Sequence, residues 1–156
     1  MPTEVSVKSI KAILGARETF TVDRGASVKD AARLMAERRI GGLPVIDNGR
    51  LVGIVTERDV VTRVVAAGRS PDTTIVGDVM TSDLIVAESG DGYDICLTRM
   101  QQSHVRHLIV LDNGALAGIA SLRDMMAADL EEKSEAITLL NAYVHYIPAD
   151  LNKLRG

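Results

Sequence analysis

A chain of 156 residues with 46% hydrophobic and 25% charged side chains has the balance of a folded globular protein rather than a disordered one. Its net charge of −3 supplies no excess positive field for nucleic acid or an anionic membrane, and aromatics at 3%, with no Trp, exclude a base-stacking platform. Cys96 is the only cysteine, so an intrachain disulfide and a cysteine-built zinc site are excluded; with no secretory h-region and no apolar run of membrane-spanning length, a soluble cytoplasmic protein is the expectation.

In chain order, residues 19–22 (TFTV) are a β-branched and aromatic run, predicted as a strand. Ser27 then precedes Val28, Ala31, Ala32, Met35 and Ala36, which are apolar at helical spacing. Ser27 and Asp30 make a capping pattern with Asp in place of the usual Glu. Gly41 and Gly42 are expected to end this helix. Residues 43–46 and 51–55 are apolar runs around Asn48-Gly49, a hairpin signal because both turn residues tolerate positive φ. Thr56 can cap a second helix that runs to about residue 67. The polar stretch around Gly68, Ser70 and Pro71 reads as a linker. A strand is then predicted near 84–86, a helix over 92–103, hairpin strands over 108–111 and 116–120 around Asn113-Gly114, and a helix from Ser121. In the tail, Ile137, Leu140, Val144 and Ile147 recur at helical spacing up to Pro148. Such a helix needs a cover, either its own module or a second subunit or partner.

The second series repeats the first. Residues 40–59 read IGGLPVIDNGRLVGIVTERD and residues 105–124 read VRHLIVLDNGALAGIASLRD, with 10 of 20 positions identical at a constant shift of 65 and no gap. Each copy is strand, helix, hairpin, helix. One copy would expose an apolar sheet face, so two copies are expected to cover one another about a pseudo-twofold axis, with a binding cleft between them.

This pattern resembles the CBS-domain (cystathionine-β-synthase domain) family in a tandem pair. The resemblance rests on Leu43-Pro44-Val45-Ile46-Asp47 with Gly53-Ile54-Val55-Thr56-Glu57-Arg58-Asp59, and on residues 105–112 with Gly118-Ile119-Ala120-Ser121-Leu122-Arg123-Asp124. Residues 75–80 followed by Thr81 are similar to the segment that opens many such motifs. The implied fold is α/β (α+β), two βαββα motifs over residues 7–67 and 75–130, joined by a linker at 68–74 and followed by a C-terminal helical tail at 131–156. The resemblance also implies a flat dimeric disc and clefts that bind AMP, ADP or ATP, or in some members S-adenosylmethionine or a dinucleotide.

Thr56 with Asp59 and Ser121 with Asp124 fit two roles. Locally they read as capping boxes; by the resemblance the carboxylates accept from a ribose diol while the hydroxyls and helix-start N–H groups meet phosphate. Arg58 and Arg123 are cations in a helical first turn, which opposes the helix dipole and suggests a partner: phosphate, a neighbouring acid, or solvent. Arg106 and His107 precede the second hairpin where the first copy has Gly41 and Gly42, so unequal clefts are expected. The cleft reached by Arg106 and His107 would prefer charged nucleotides, and the glycines would let backbone approach an adenine face. Val22, Leu43, Pro44 and Ile109, with Val86 and Leu108, are either an adenine slot or ordinary core. Ile109 stands where the family often has Pro.

His104, His107 and His145 complete no recognisable ligand set, so no metal is expected. No nucleophile elbow, Walker loop or Gly-x-Gly-x-x-Gly fingerprint is present, and Cys96 falls on the apolar side of a helical pattern. Neither a catalytic residue nor a catalytic cofactor is expected. The function implied is a regulatory, energy-sensing adenine-nucleotide module, a homodimer acting on an unidentified protein. The alternatives are a ligand-free dimerisation or interaction module and an S-adenosylmethionine or NAD(H) sensor.

Overall fold

Each repeat folds as a three-stranded sheet with helices against it, and the two copies follow the same order in the computed structural model, which describes residues 6–145. A short helix α1 (Ile10–Leu14) leads in. The first unit comprises β1 (Val22–Asp23), α2 (Val28–Arg38), β2 (Gly42–Asp47), β3 (Arg50–Thr56) and α3 (Glu57–Val60), extended by a π-helical turn over Val61–Val65. Helix α4 (Val76–Val79) follows. The second unit comprises β4 (Val86–Glu88), α5 (Tyr93–Ser103), β5 (His107–Asp112), β6 (Ala115–Ser121) and α6 (Leu122–His145).

Local chemistry accounts for the elements. The Ser27 hydroxyl accepts from Asp30 N–H at 3.1 Å and starts α2. The Asn-Gly turns take positive φ angles, as the hairpin signal requires: 49° and 77° at Asn48 and Gly49, 50° and 81° at Asn113 and Gly114. Both hairpins carry an irregularity at the same place, between Val45 and Ile46 and between Val110 and Leu111. In each sheet the first strand lies parallel to the second, which pairs antiparallel with the third.

Three expectations are revised. Helix α2 stops at Arg39, in the left-handed conformation with φ 54°, and α5 stops the same way at His104; Gly42 instead opens β2. Ladder pairing begins at Val22 and Val86, later than residues 19 and 84: Thr19 reaches the other unit instead, its Oγ1 donating to Ala117 O at 3.0 Å, while Ile85 keeps a single backbone bond to its own sheet, its carbonyl accepting from Ile109 N–H at 3.2 Å. Finally, the copies do not share one core. Each has its own, and each is closed by a segment from beyond its own βαββα. Ile10 and Leu14 of α1 pack with Ala87, Met100, Leu108 and Met125 of the second unit. Val76 and Val79 of α4 pack with Val28, Met35, Leu43 and Val55 of the first. Val76 and Val79 are fully buried, a contribution on the order of 2 kcal/mol each. Backbone bonds seal the exchange: Ile10 N–H to Asp91 O at 2.8 Å, Val76 N–H to Ala26 O at 2.8 Å, and Ile54 with Thr81 reciprocally at 2.9 and 2.8 Å.

The tail does not begin a separate element. Helix α6 runs unbroken to His145, anchored where the Tyr93 hydroxyl donates to Glu132 and to Asp129. Residues 133–143 are exposed, so this stretch is not folded back on its own unit. The remainder of the tail, with Ile147 and Pro148, lies outside the described residues. No helix among the described residues is long and apolar enough to cross a membrane.

Candidate functional site

Strand β3 delivers Thr56 to the start of α3 in extended conformation. There the capping box is complete: Asp59 Oδ2 accepts from Thr56 N–H at 2.9 Å and from the Thr56 hydroxyl at 3.1 Å, while Asp59 N–H donates to Thr56 Oγ1 at 3.3 Å. In the second unit Asp124 Oδ2 accepts from Ser121 N–H at 2.9 Å, and Asp124 N–H donates to Ser121 Oγ at 3.2 Å. Both readings of the Thr/Ser-x-x-Asp pattern are therefore sterically compatible, because capping takes one carboxylate oxygen and leaves the other. Asp59 is 7% exposed, and its Oδ1 lies 3.9 Å from Arg63 Nε.

These helix starts face two clefts between the units. The first, about 280 Å³, sets Thr56, Arg58 and Asp59 opposite Leu84, Ile85, Arg106 and Ile109. The second, about 780 Å³, sets Ser121, Arg123 and Asp124 opposite Arg39, Ile40 and the two glycines. Ile54 and Ile119, related by the 65-residue shift, line the first and second cleft respectively. Each cleft thus joins a carboxylate and hydroxyl from one unit to a wall supplied by the other.

Between the clefts lies a shared partition. Gly41, Glu57, Arg106 and His107 line both. Glu57 N–H donates to Gly41 O at 3.0 Å, and its counterpart Leu122 N–H donates to Arg106 O at 2.8 Å. A Cβ at residue 41 would stand 2.9 Å from His107 Nε2, and one at residue 42 would stand 3.1 Å from Ile119 Cδ1. The glycines therefore make room for a side chain of the opposite unit: where one copy is bulky, the other is bare. Both glycines nevertheless line the second cleft. The shared partition also means that Arg106 and His107 do not belong to one cleft only. Burial holds the His107 imidazole below its ordinary range; Glu57 and Asp124 pull the other way, and Arg106 and Arg58 reinforce the shift.

The remaining sequence candidates divide by burial. Thr56, Arg58, Asp59 and Ile109 line the first cleft, and Gly42, Ser121, Arg123 and Asp124 the second. Val22, Leu43 and Leu108 are buried in the unit cores, Pro44 is buried in β2, Val86 is exposed at the head of β4, and none of these five lines either cleft. Arg58 finds a partner for its misplaced charge: its Nη1 donates to His104 O at 3.4 Å, at the C-terminus of α5, where a cation suits the dipole. Sequence reading passed over Leu84 and Ile85, two residues ahead of the strand, and Ile54 and Ile119, whose identity across the repeat was the available signal. It also passed over Arg17, whose Nη2 lies 2.9 Å from Asp124 Oδ1. Nothing near Arg17 in sequence marks it, because the contact is long-range.

Known proteins agree with this architecture. A family model for the CBS domain matches residues 8–66 and 76–131. The chain is 31% identical over 124 residues to the CBS domain-containing protein YhcV of Bacillus subtilis, covering 80% of this chain and 88% of that protein. It is 35% identical over 133 residues to inosine-5′-monophosphate dehydrogenase of Methanocaldococcus jannaschii, covering 81% of this chain but 26% of the enzyme. A solved CBS-domain structure from Burkholderia ambifaria superimposes with a TM-score of 0.76 at 36% identity, covering 80% of this chain and 95% of that one. Two repeats of one fold, the exchanged lead-in helices and these matches converge: the chain belongs to the CBS-domain family, as a tandem pair.

Proposed function

We propose that the chain is a cytoplasmic regulatory module that binds an adenosine-containing ligand of the AMP, ADP or ATP type in its inter-unit clefts and reports occupancy to a partner protein. One observation carries the reading. In the first cleft Oδ1 of the nearly buried Asp59 is spared by the capping box beside an apolar wall of Ile54, Ile85 and Ile109 and the guanidinium of Arg58. A ribose diol needs the acceptor, a base needs the wall, and a phosphate needs the forked donors. Because each cleft is built from both units, a ligand that fits would bias their relative placement, and a partner could sense that bias. The module is proposed as non-enzymatic.

Calorimetric titration with AMP, ADP, ATP, S-adenosylmethionine and NAD(H) tests this. Micromolar binding of at least one, weakened by Asp59→Ala or Asp124→Ala, supports it; absence of heat and of thermal shift with all of them refutes it. A homodimer is part of the proposal. Val61 and Val65 on the first unit, and their repeat counterparts Met126 and Leu130 on the second, are all more than half exposed. Four such side chains at matching helical positions fit a second copy, and light scattering that returns a monomer at micromolar concentration would remove this part.

A further inference from the structure

The clefts differ in a way the repeat does not carry. Asp59 Oδ1 has Arg63 Nε as its closest cation, at 3.9 Å, whereas Asp124 Oδ1 is held by Arg17 Nη2 at 2.9 Å. The shift of 65 places Ser82 at the counterpart of Arg17, so the first cleft has no equivalent guanidinium. Arg17 is positioned from both sides: Arg17 N–H donates to Leu14 O at 3.2 Å below α1, and Thr19 Oγ1 is tied to Ala117 O at 3.0 Å. Burial raises the Asp124 carboxyl, but Arg17 and the Ser121 donors outweigh it and hold the group below its ordinary range. The charge around the two aspartates also differs. Cleft two sets Arg17, Arg39, Arg106 and Arg123 against Glu57 and Asp124. In cleft one Arg58, Arg63 and Arg106 are matched by Glu57, Asp59 and Asp83.

We propose that Arg17 is the specificity-determining residue of the second cleft: it occupies the carboxylate oxygen a ribose would use, and yields it only to a ligand whose phosphates take over the guanidinium. This rests on the adenosine-ligand reading above. An uncharged nucleoside must break the Arg17–Asp124 pair and offers the guanidinium nothing in return. A nucleoside diphosphate breaks the same pair and replaces it with a forked phosphate contact in a cleft of excess positive charge. The larger second cleft therefore selects polyphosphates, while the charge-balanced first cleft does not discriminate on charge.

The test is calorimetry of the full chain carrying Asp59→Ala, which removes the ribose acceptor from the first cleft, titrated with adenosine, ADP and inorganic pyrophosphate. With Arg17 present, ADP binds at least about tenfold tighter than adenosine; adding Arg17→Gln strengthens adenosine, weakens ADP and pyrophosphate by about tenfold, and collapses the ratio. Arg17→Lys keeps the charge without the fork and gives an intermediate ratio. Circular dichroism confirms that each variant is folded. An ADP-to-adenosine ratio unchanged by Arg17→Gln overturns the proposal. If neither adenosine nor ADP binds but pyrophosphate affinity still falls with Arg17→Gln, the adenosine reading fails and anion selection by Arg17 stands. If pyrophosphate is also indifferent to Arg17, both fail.

Discussion

Gly53 and Gly118 occupy the same place in the two hairpins, yet an added methyl group would meet different neighbours. At residue 53 the new Cβ would stand 2.7 Å from Met80 Sδ and 2.9 Å from the carbonyl oxygen of Thr81; at residue 118 it would stand 3.2 Å from Leu14 Cδ1 and 3.6 Å from Thr19 Oγ1. Neither glycine has positive φ, so backbone strain does not enter. The Met80 thioether can swing aside, but Thr81 O cannot, because it accepts from Ile54 N–H at 2.9 Å while Thr81 N–H donates back to Ile54 O at 2.8 Å. Replacing glycine by alanine in a compatible backbone stabilises by about 0.4–1 kcal/mol through the unfolded state, whereas overpacking costs about 1–3 kcal/mol. Gly118→Ala should fall within about 1 kcal/mol of neutral, and Gly53→Ala should lose about 1–2 kcal/mol. For a chain of this size that is a Tm drop of about 2–8 °C for Gly53→Ala and a shift within about 4 °C either way for Gly118→Ala. Differential scanning calorimetry with urea unfolding reads both. Equal drops in the two variants, or no change in Gly53→Ala, would refute the claim that residues 76–81 close the first unit against the edge of β3.

Three further outcomes follow from the same geometry. Asp59→Ala removes the acceptor for the Thr56 N–H and hydroxyl, so its urea midpoint should fall by the equivalent of about 1–2 kcal/mol at unchanged m-value, and an unaltered midpoint would contradict the cap. Burial depresses the His107 pKa below 6.5, so the unfolded chain takes up a proton that the folded chain resists. The His107 contribution to stability is thus intact above pH 6.5 and is lost as pH falls below it; His107→Asn should flatten the dependence between pH 7 and 5, and parallel profiles would count against a resistant imidazole. The Cys96 thiol is fully buried and its pKa is raised by that burial, so Ellman's reagent should label it at the rate of unfolding; rapid labelling of native protein would show the second core to be open.

Much of the architecture was determined by sequence alone, because its causes are local. The 65-residue repeat, Ser27 and Thr56 as caps, and Asn-Gly as hairpin turns depend on neighbours a few residues away, and each reads directly. So does the Thr/Ser-x-x-Asp pair as a cap, in which one carboxylate oxygen accepts from the Thr56 or Ser121 N–H and the other is left outside the cap. Tertiary structure decided what depends on distant segments. Which core α1 and α4 enter is a question of packing, and it sent each of them into a core other than the one its chain position suggests. Gly41 and Gly42 look like helix terminators until His107 of the other copy is seen filling the space above them. The clefts become unequal through Arg17, a residue that acquires meaning only when α1, docked on the far unit, swings it 107 positions along the chain to Asp124.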